Sequence, residues 1–153
     1  MLLLEASLHF RLSRSELAVR RAWRRILRSD RQTRRMFGVS PPALERRREP
    51  RQPLRVPINL RPAQTRGLTI LSDAAAPPFL ALTCNISQGG VGFVHDEPLP
   101  AQQLLAEFDV GDDEPLLLLV ESCWTVATAP RAYRSGVRTL GVARRPELHA
   151  ARP

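Results

Sequence analysis

Two groups of polar residues in this chain have side chains and spacings that suit an anionic ligand with flat rings. The first group is Arg47 and Arg51, four residues apart in "ERRREPRQPLRVPINL". The second is Asn85, Ser87 and Gly90 in "TCNISQGGVGFV". A guanidinium carries five donors in a rigid fork and has a flat face, so it suits phosphate oxygens, the O6/N7 edge of guanine and the face of a base. Asn and Ser side chains at a strand end can face outward and bond the polar edge of a ligand.

Each group also has a more ordinary interpretation. All 23 basic residues of the chain are arginines, so the first spacing arises easily, and Arg51 with Arg55 has it too. The second group would serve equally well as a tight turn between two strands, because Gly89 and Gly90 permit a positive φ and a close approach to the main chain. Neither group alone specifies a binding site.

The elements that would position these residues follow from the patterning of the 153-residue chain. Beyond residue 54, short apolar runs, often β-branched, are separated by Gly, Pro, Asp and Ser, with no helical period between them. This pattern predicts an antiparallel barrel or sandwich. The seven predicted strands are "RVPINLRP", "GLTILS", "FLALTCNI", "VGFVH", "LLAEFDV", "PLLLLVESCWTVA" and "YRSGVRTLGVA".

The N-terminal third is strongly basic and predicts a helix. Residues 1–55 have a charge balance of +10, whereas residues 56–153 have a balance of −2. Ser13 with Glu16 forms a capping-box pattern, and Gly38 can end the segment. The predicted helix has one apolar face and one basic face. The apolar face holds Val19, Ala22, Trp23, Ile26 and Leu27, and the basic face holds Arg20, Arg21, Arg24, Arg25, Arg28 and Arg31.

Four interpretations of this basic helix remain open. It could lie on a lipid surface, or act as an arm for a protein or a nucleic acid. It could instead be a solvated helix whose short apolar stripe leans on the domain. A translation start at Met36 would leave it outside the working protein. The charge asymmetry by itself indicates an anionic partner or a solvated arm, not a particular fold.

Several classes of site are disfavoured by the sequence. Cys84 and Cys123 are isolated thiols, which provide neither a disulfide framework nor a four-ligand zinc site. His9, His95 and His149 lack metal-ligand spacing. The chain has no Ser/His/Asp ordering and no phosphate-binding loop spacing. We therefore expect no catalysis, no metal and no cofactor.

The start of the chain does not resemble a secretion signal. "MLLL" is followed at once by Glu5, which leaves no long apolar core for a signal peptide. Nothing in the sequence approaches the roughly 20 apolar residues of a membrane-spanning helix. These features predict a cytoplasmic protein.

The two polar groups, in this order and on an all-β background, resemble the PilZ domain family. In that family the motifs are R-x-x-x-R before the first strand and (D/N)-x-S-x-x-G at the end of a later one, very often followed by strand residues like "VGFV". The resemblance runs over about residues 45–143 and includes Trp124 in "ESCWTV" and the "YRSGVR" stretch. It implies a six-stranded antiparallel β-barrel, here with an N-terminal basic helical extension, that binds the bacterial second messenger cyclic di-GMP, usually without catalysis.

The resemblance also implies a role for each motif residue. Arg47 and Arg51 would grip phosphates and guanine from a flexible N-terminal loop. Asn85 and Ser87 would hydrogen-bond the other guanine or its ribose phosphate from the barrel surface, and Gly90 would keep that surface close to the ligand. The ligand is then cyclic di-GMP, with a protein partner that the sequence does not identify.

These expectations divide the chain into four parts. They are a helical extension over residues 1–38, a proline-containing linker over 39–46, the barrel domain over 47–145 and a tail over 146–153. Contact with an anionic surface is expected through residues 14–35. Two alternatives stay open: a basic arm-plus-barrel protein that binds nucleic acid or anionic membrane by charge, and a degenerate PilZ domain that acts only as a scaffold.

Overall fold

A computed structural model describes residues 7–37 and 51–145 of the chain. Within these residues the protein forms one helix and one sheet of nine strands, in which every pairing is antiparallel. The elements in chain order are β1 (Ser7–Ser13), α1 (Glu16–Phe37), β2 (Gln52–Pro53), β3 (Pro57–Arg66), β4 (Thr69–Asp73), β5 (Phe79–Ser87), β6 (Gly90–His95), β7 (Gln103–Phe108), β8 (Leu116–Ala129) and β9 (Ala132–Arg144).

The antiparallel β character predicted from the sequence is confirmed, and the expected number of strands is wrong. All seven predicted strands are present, as β3 to β9. The sheet has nine strands, not six, because the seven predicted strands and also β1 and β2 pair into it. β2 is only two residues long and contains a proline, so no alternation pattern could have indicated it.

β3 pairs with different strands along its length. Its first half, Pro57–Leu60, pairs with β5, and its second half, Ala63–Arg66, pairs with β4. The strand order is β1-β4-β3-β7-β8-β9-β6-β5-β2, with additional pairings β1–β9 and β3–β5. As a result six strands are linked in a cycle of pairings. The order in the cycle is β3, β5, β6, β9, β8 and β7, and β7 pairs again with β3.

The core consists of two clusters of buried side chains on opposite faces of β8. Leu118 belongs to the first cluster, with Phe93 and Phe108, whereas Leu117 and Leu119 belong to the second. A strand that is buried on both faces is expected to be a continuous apolar run, which explains "LLLLV" in the sequence.

α1 packs on the sheet through its apolar face. Ala22, Ile26 and Leu27 are buried in the first cluster, and Trp23 is partly buried against it. Of the interpretations left open, a helix that leans on the domain describes this arrangement. No helix in the described part of the chain is long and apolar enough to cross a membrane. The basic residues Arg20, Arg21, Arg24, Arg25 and Arg28 of the opposite face are exposed.

α1 begins later than the capping-box pattern predicted. Ser15, not Ser13, caps the helix, because the backbone N–H of Ala18 donates to Ser15 Oγ at 3.3 Å. Ser13 is the last residue of β1 and is held in the sheet. The helix runs to Phe37, and the predicted end at Gly38 lies outside the described residues.

The N-terminal segment also contributes a strand, which the sequence reasoning missed. β1 pairs with β4 and with β9, and Phe10 and Leu12 fill the second cluster. The described part of the N-terminal extension is therefore packed on the domain. The division into four parts stays a prediction, since residues 39–46 and 146–153 lie outside the described residues.

Candidate functional site

A surface cavity of about 510 Å³ lies across β5, β6, β9 and β8. Four of the five expected site residues line it: Arg51, Asn85, Ser87 and Gly90. The fifth, Arg47, lies outside the described residues. The other lining residues are Gly89, Val91, Gly92, Cys123, Trp124, Arg134, Gly136 and Val137.

Asn85 and Ser87 reach the outer face because β5 contains a bulge. Thr83 pairs with Phe93, yet Asn85 pairs with Gly92, so Cys84 is an extra residue without a partner on β6. A shift of one residue moves every later side chain to the other face of a sheet. Thr83 is accordingly buried, whereas Asn85 and Ser87 line the cavity.

Trp124 is directed to the same cavity by a second bulge. On β8, Ser122 pairs with Val137 and Trp124 pairs with Gly136, so Cys123 is the extra residue. Trp124 is 41% exposed. It lies against Gly136, where an added Cβ would be 2.4 Å from the indole Nε1. The two cysteines of the chain thus occupy the two bulges that border the cavity.

Two glycines form part of the cavity between Asn85 and Trp124. In register across the sheet, Asn85 pairs with Gly92, Gly92 with Gly136, and Gly136 with Trp124. A Cβ at Gly92 would be 2.8 Å from Asn85 Oδ1, so the amide side chain lies over that glycine. The absence of a side chain at either position leaves room for the Asn85 amide over Gly92 and for the Trp124 indole against Gly136.

The packing of β6 on β9 gives a structural reason for the glycine at position 90. Its φ lies outside the left-handed region, and a Cβ there would be 2.2 Å from the carbonyl oxygen of Val137. The close approach of β9 therefore requires glycine at this position, and a positive φ does not. Gly90 also lines the cavity, so its expected contact with a ligand stays a prediction. The turn between β5 and β6 consists of Gln88 and Gly89.

The segment that carries Arg51 is fixed beside Asn85 by β2 and by Thr83. In β2, Pro53 pairs with Asn85. The Thr83 hydroxyl donates to the Leu54 carbonyl oxygen at 2.7 Å and accepts from the Val56 N–H at 2.9 Å. These contacts hold the residues that follow Arg51 against β5, so Arg51 of the first motif and the residues of the second motif border one cavity.

The charge around the cavity is positive. Arg51 and Arg134 both line it, both are exposed, and neither has an ion pair with another described residue. Among the described residues that line the cavity, none is acidic. Arg138, the next outward residue of β9, is paired with Glu121 at 2.9 Å. The cavity is therefore suited to an anion, and guanidinium groups suit phosphate oxygens in particular.

The polar lining groups have unused hydrogen-bonding capacity. Within residues 7–37 and 51–145, the side chains of Asn85 and Ser87 have no hydrogen-bond partner. A turn-forming role would have required bonds from these groups to nearby backbone. Their geometry therefore favours the outward-facing interpretation over the structural one.

Sequence reasoning did not assign Trp124, Arg134, Gly92 or Gly136 to the site. Period-two alternation would have grouped Arg134 with Gly136 on β9. Trp124 was not assigned to the site because the bulge at Cys123, just before it, reverses the inward and outward alternation of the side chains on β8. Its place on the outer face could not be derived from spacing alone.

Comparison of the chain with family models, with curated proteins and with solved structures found no match. In the described part of the chain, no three His, Cys, Asp or Glu side chains are grouped so as to hold a metal ion.

Proposed function

We propose that the protein is a non-catalytic receptor module of the PilZ type, which binds cyclic di-GMP in the cavity described above. The observation that carries this proposal is the convergence of one arginine of the first motif with the second motif, which is far from it in sequence. Arg51 from the first motif and Asn85 and Ser87 from the second border the same cavity. If the arginine spacing were accidental, there would be no reason for Arg51 to lie at the same cavity as Asn85 and Ser87.

The strand pairings support the proposed fold. The cycle of β3, β5, β6, β9, β8 and β7 has the number of strands and the antiparallel pairings of the expected barrel. In this proposal β1, β2 and β4 are additions to a six-stranded barrel. The second motif then lies at the end of β5, on the outside of the barrel.

The chemistry of the cavity matches the ligand. Cyclic di-GMP has two guanine bases and two phosphodiesters, and the cavity volume lies in the roughly 300–1,000 Å³ range of ligand sites. Arg51 and Arg134 would bind phosphate oxygens, and Asn85 and Ser87 would bond the polar edge of a guanine. Trp124 would stack on a base, an interaction worth about 1–3 kcal/mol.

Isothermal titration calorimetry with cyclic di-GMP tests the proposal. We expect a dissociation constant in the micromolar range or below, which corresponds to about −8 kcal/mol or more favourable. Cyclic di-AMP is the matched control, since it keeps the ring and the phosphates and changes only the bases. Absence of heat at a ligand concentration of hundreds of micromolar would reject the receptor function and favour the scaffold alternative.

Salt dependence separates this function from binding by charge alone. Binding that depends only on phosphate contacts weakens steeply as salt rises and does not distinguish guanine from adenine. A site that reads guanine should keep its preference for cyclic di-GMP over cyclic di-AMP at every salt concentration. In the proposed mechanism, Arg47 and Arg51 grip the ligand, and this alters the contact with a partner protein.

A further inference from the structure

A row of arginines crosses the sheet far from the cavity. Arg66 pairs with Thr69, Thr69 with Arg11, and Arg11 with Arg144, so the row runs over β3, β4, β1 and β9. All four residues are exposed. Residues directly opposite in an antiparallel ladder share a face, and like charges in that position are destabilising. The Arg11–Arg144 pair therefore has an energetic cost that an anionic partner would remove.

An arginine of α1 lies beside this row. Arg21 and Arg144 border one cavity of about 450 Å³ between the helix and the end of β9. The other two arginines of that cavity are neutralised, because Arg25 pairs with Asp112 and Arg145 lies 3.9 Å from Glu114. By contrast, Arg11, Arg21, Arg66 and Arg144 have no ion pair with any residue in the described ranges. We call these four residues the basic surface.

Two exposed leucines accompany the basic surface. Leu68 is 54% exposed in the turn after Arg66, and its carbonyl oxygen accepts a hydrogen bond from the Leu12 N–H at 2.7 Å. Leu17 is 53% exposed in the first turn of α1, four residues before Arg21. Both leucines therefore lie where β1 ends and α1 begins, beside arginines that have no acidic partner.

We propose that the basic surface, with Leu17 and Leu68, binds the surface of an anionic lipid bilayer. Arginines attract anionic headgroups, and exposed leucines beside them can enter the boundary between headgroups and acyl chains. A nucleic acid fits less well, because its phosphates would engage only the arginines and would offer no apolar environment to Leu17 and Leu68, which are 53% and 54% exposed.

This mode of contact differs from insertion of an amphipathic helix. The apolar residues Ala22, Ile26 and Leu27 of α1 are buried in the core and are not free to meet lipid. The bilayer would instead be met by strand arginines, by Arg21 and by the two leucines. The expected contact through residues 14–35 is thereby extended to three strands of the sheet.

The basic surface does not overlap the cyclic di-GMP cavity. Arg144 and Gly136 lie on the same strand, eight residues apart, which at about 3.3 Å per residue is roughly 26 Å. Both surfaces can therefore be occupied at once. The membrane proposal does not depend on the receptor proposal.

Co-sedimentation of the full chain with vesicles tests the proposal. We expect binding to vesicles of phosphatidylglycerol and phosphatidylcholine and none to vesicles of phosphatidylcholine alone. Each arginine near an anionic surface is worth about 1 kcal/mol, or about fivefold in partitioning, so Arg11→Gln/Arg144→Gln should weaken binding about 25-fold. Arg55→Gln/Arg131→Gln is the matched control: it removes the same charge from two exposed positions away from the basic surface and should change little.

Leu68→Ser isolates the apolar contribution. It should weaken binding to anionic vesicles without any change in net charge, and circular dichroism should show an unchanged fold because the side chain is exposed. Equal losses for the Arg11/Arg144 variant and its charge-matched control would overturn the proposal. So would binding of mixed-sequence single-stranded RNA, but not of vesicles, in a manner that depends on Arg11 and Arg144.

Discussion

The side chains of Asn85 and Ser87 should matter for ligand binding and not for stability. Neither has a hydrogen-bond partner among the described residues, so Asn85→Ala and Ser87→Ala remove no hydrogen bond from that part of the protein. We expect unfolding free energies within about 0.5 kcal/mol of the parent, and melting temperatures within about 2 °C for a chain of this size. Each variant loses a neutral hydrogen bond to ligand, worth about 0.5–1.5 kcal/mol, so the dissociation constant should rise about two- to twelvefold.

A control variant on the other side of the sheet should give the opposite result. Thr65 Oγ1 donates to Gln103 Oε1 at 3.2 Å, and neither residue lines the cavity. Thr65→Val should therefore lower the unfolding free energy by about 0.5–1.5 kcal/mol and leave affinity unchanged. Gly90→Val should lower both the unfolding free energy and the affinity for ligand, because the valine side chain would overlap the Val137 carbonyl oxygen and force β6 away from β9.

Calorimetric titration with cyclic di-GMP and thermal denaturation of all four variants complete the experiment. If Asn85→Ala and Ser87→Ala melt at lower temperature but bind as well as the parent, the two side chains only shape the β5–β6 hairpin. The reasoning from the bulge at Cys84 to a ligand-facing surface would then be refuted.

Two further predictions concern the first motif and the N-terminal segment. Arg51→Ala should weaken cyclic di-GMP binding at least about tenfold, since a charge-assisted hydrogen bond is worth roughly 1.5–3 kcal/mol, and Arg51→Lys should recover little because the planar fork is lost. Arg55→Ala is the control, and a larger loss there in the same titration would mean that the motif lies four residues later. Deletion of residues 1–38 should abolish folding in circular dichroism, because it removes Phe10, Leu12, Ile26 and Leu27 from the two cores, at about 1.5–3 kcal/mol each, from a total stability of roughly 5–15 kcal/mol. A truncated protein that folds and binds ligand would contradict this account of the core.

The sequence predicted the strands well because their signal is local. Each of the seven apolar runs was bounded by Gly, Pro, Asp or Ser, and each forms a strand. β1 was missed because its run, "SLHFRLS", stands directly before a strong helix pattern, and its partners are β4 and β9, far along the chain. The same local bias assigned the helix cap to Ser13, which the sheet requires as the last residue of β1.

For the candidate site, the sequence indicated which residues to select, but it did not indicate which face of the sheet their side chains occupy. Arg51, Asn85 and Ser87 were selected because the two groups together resemble the PilZ motifs, since neither group alone specified a site, and they border one cavity. Which face each side chain occupies depends on two extra residues, Cys84 and Cys123, and a bulge is specified by the pairing of two strands and not by either strand alone.

Without the bulge at Cys84, Asn85 and Ser87 would continue the alternation of the buried residues Ala81 and Thr83 and point inward. Without the bulge at Cys123, Trp124 would follow Ser122 to the inner face. Two bulges at matching heights on β5 and β8 therefore direct the polar groups and the indole to the same surface. Because the intervening positions of β6 and β9 are Gly92 and Gly136, the Asn85 amide and the Trp124 indole have room to lie against the main chain of this surface. The register of the sheet, set by these four strands together, creates the candidate site.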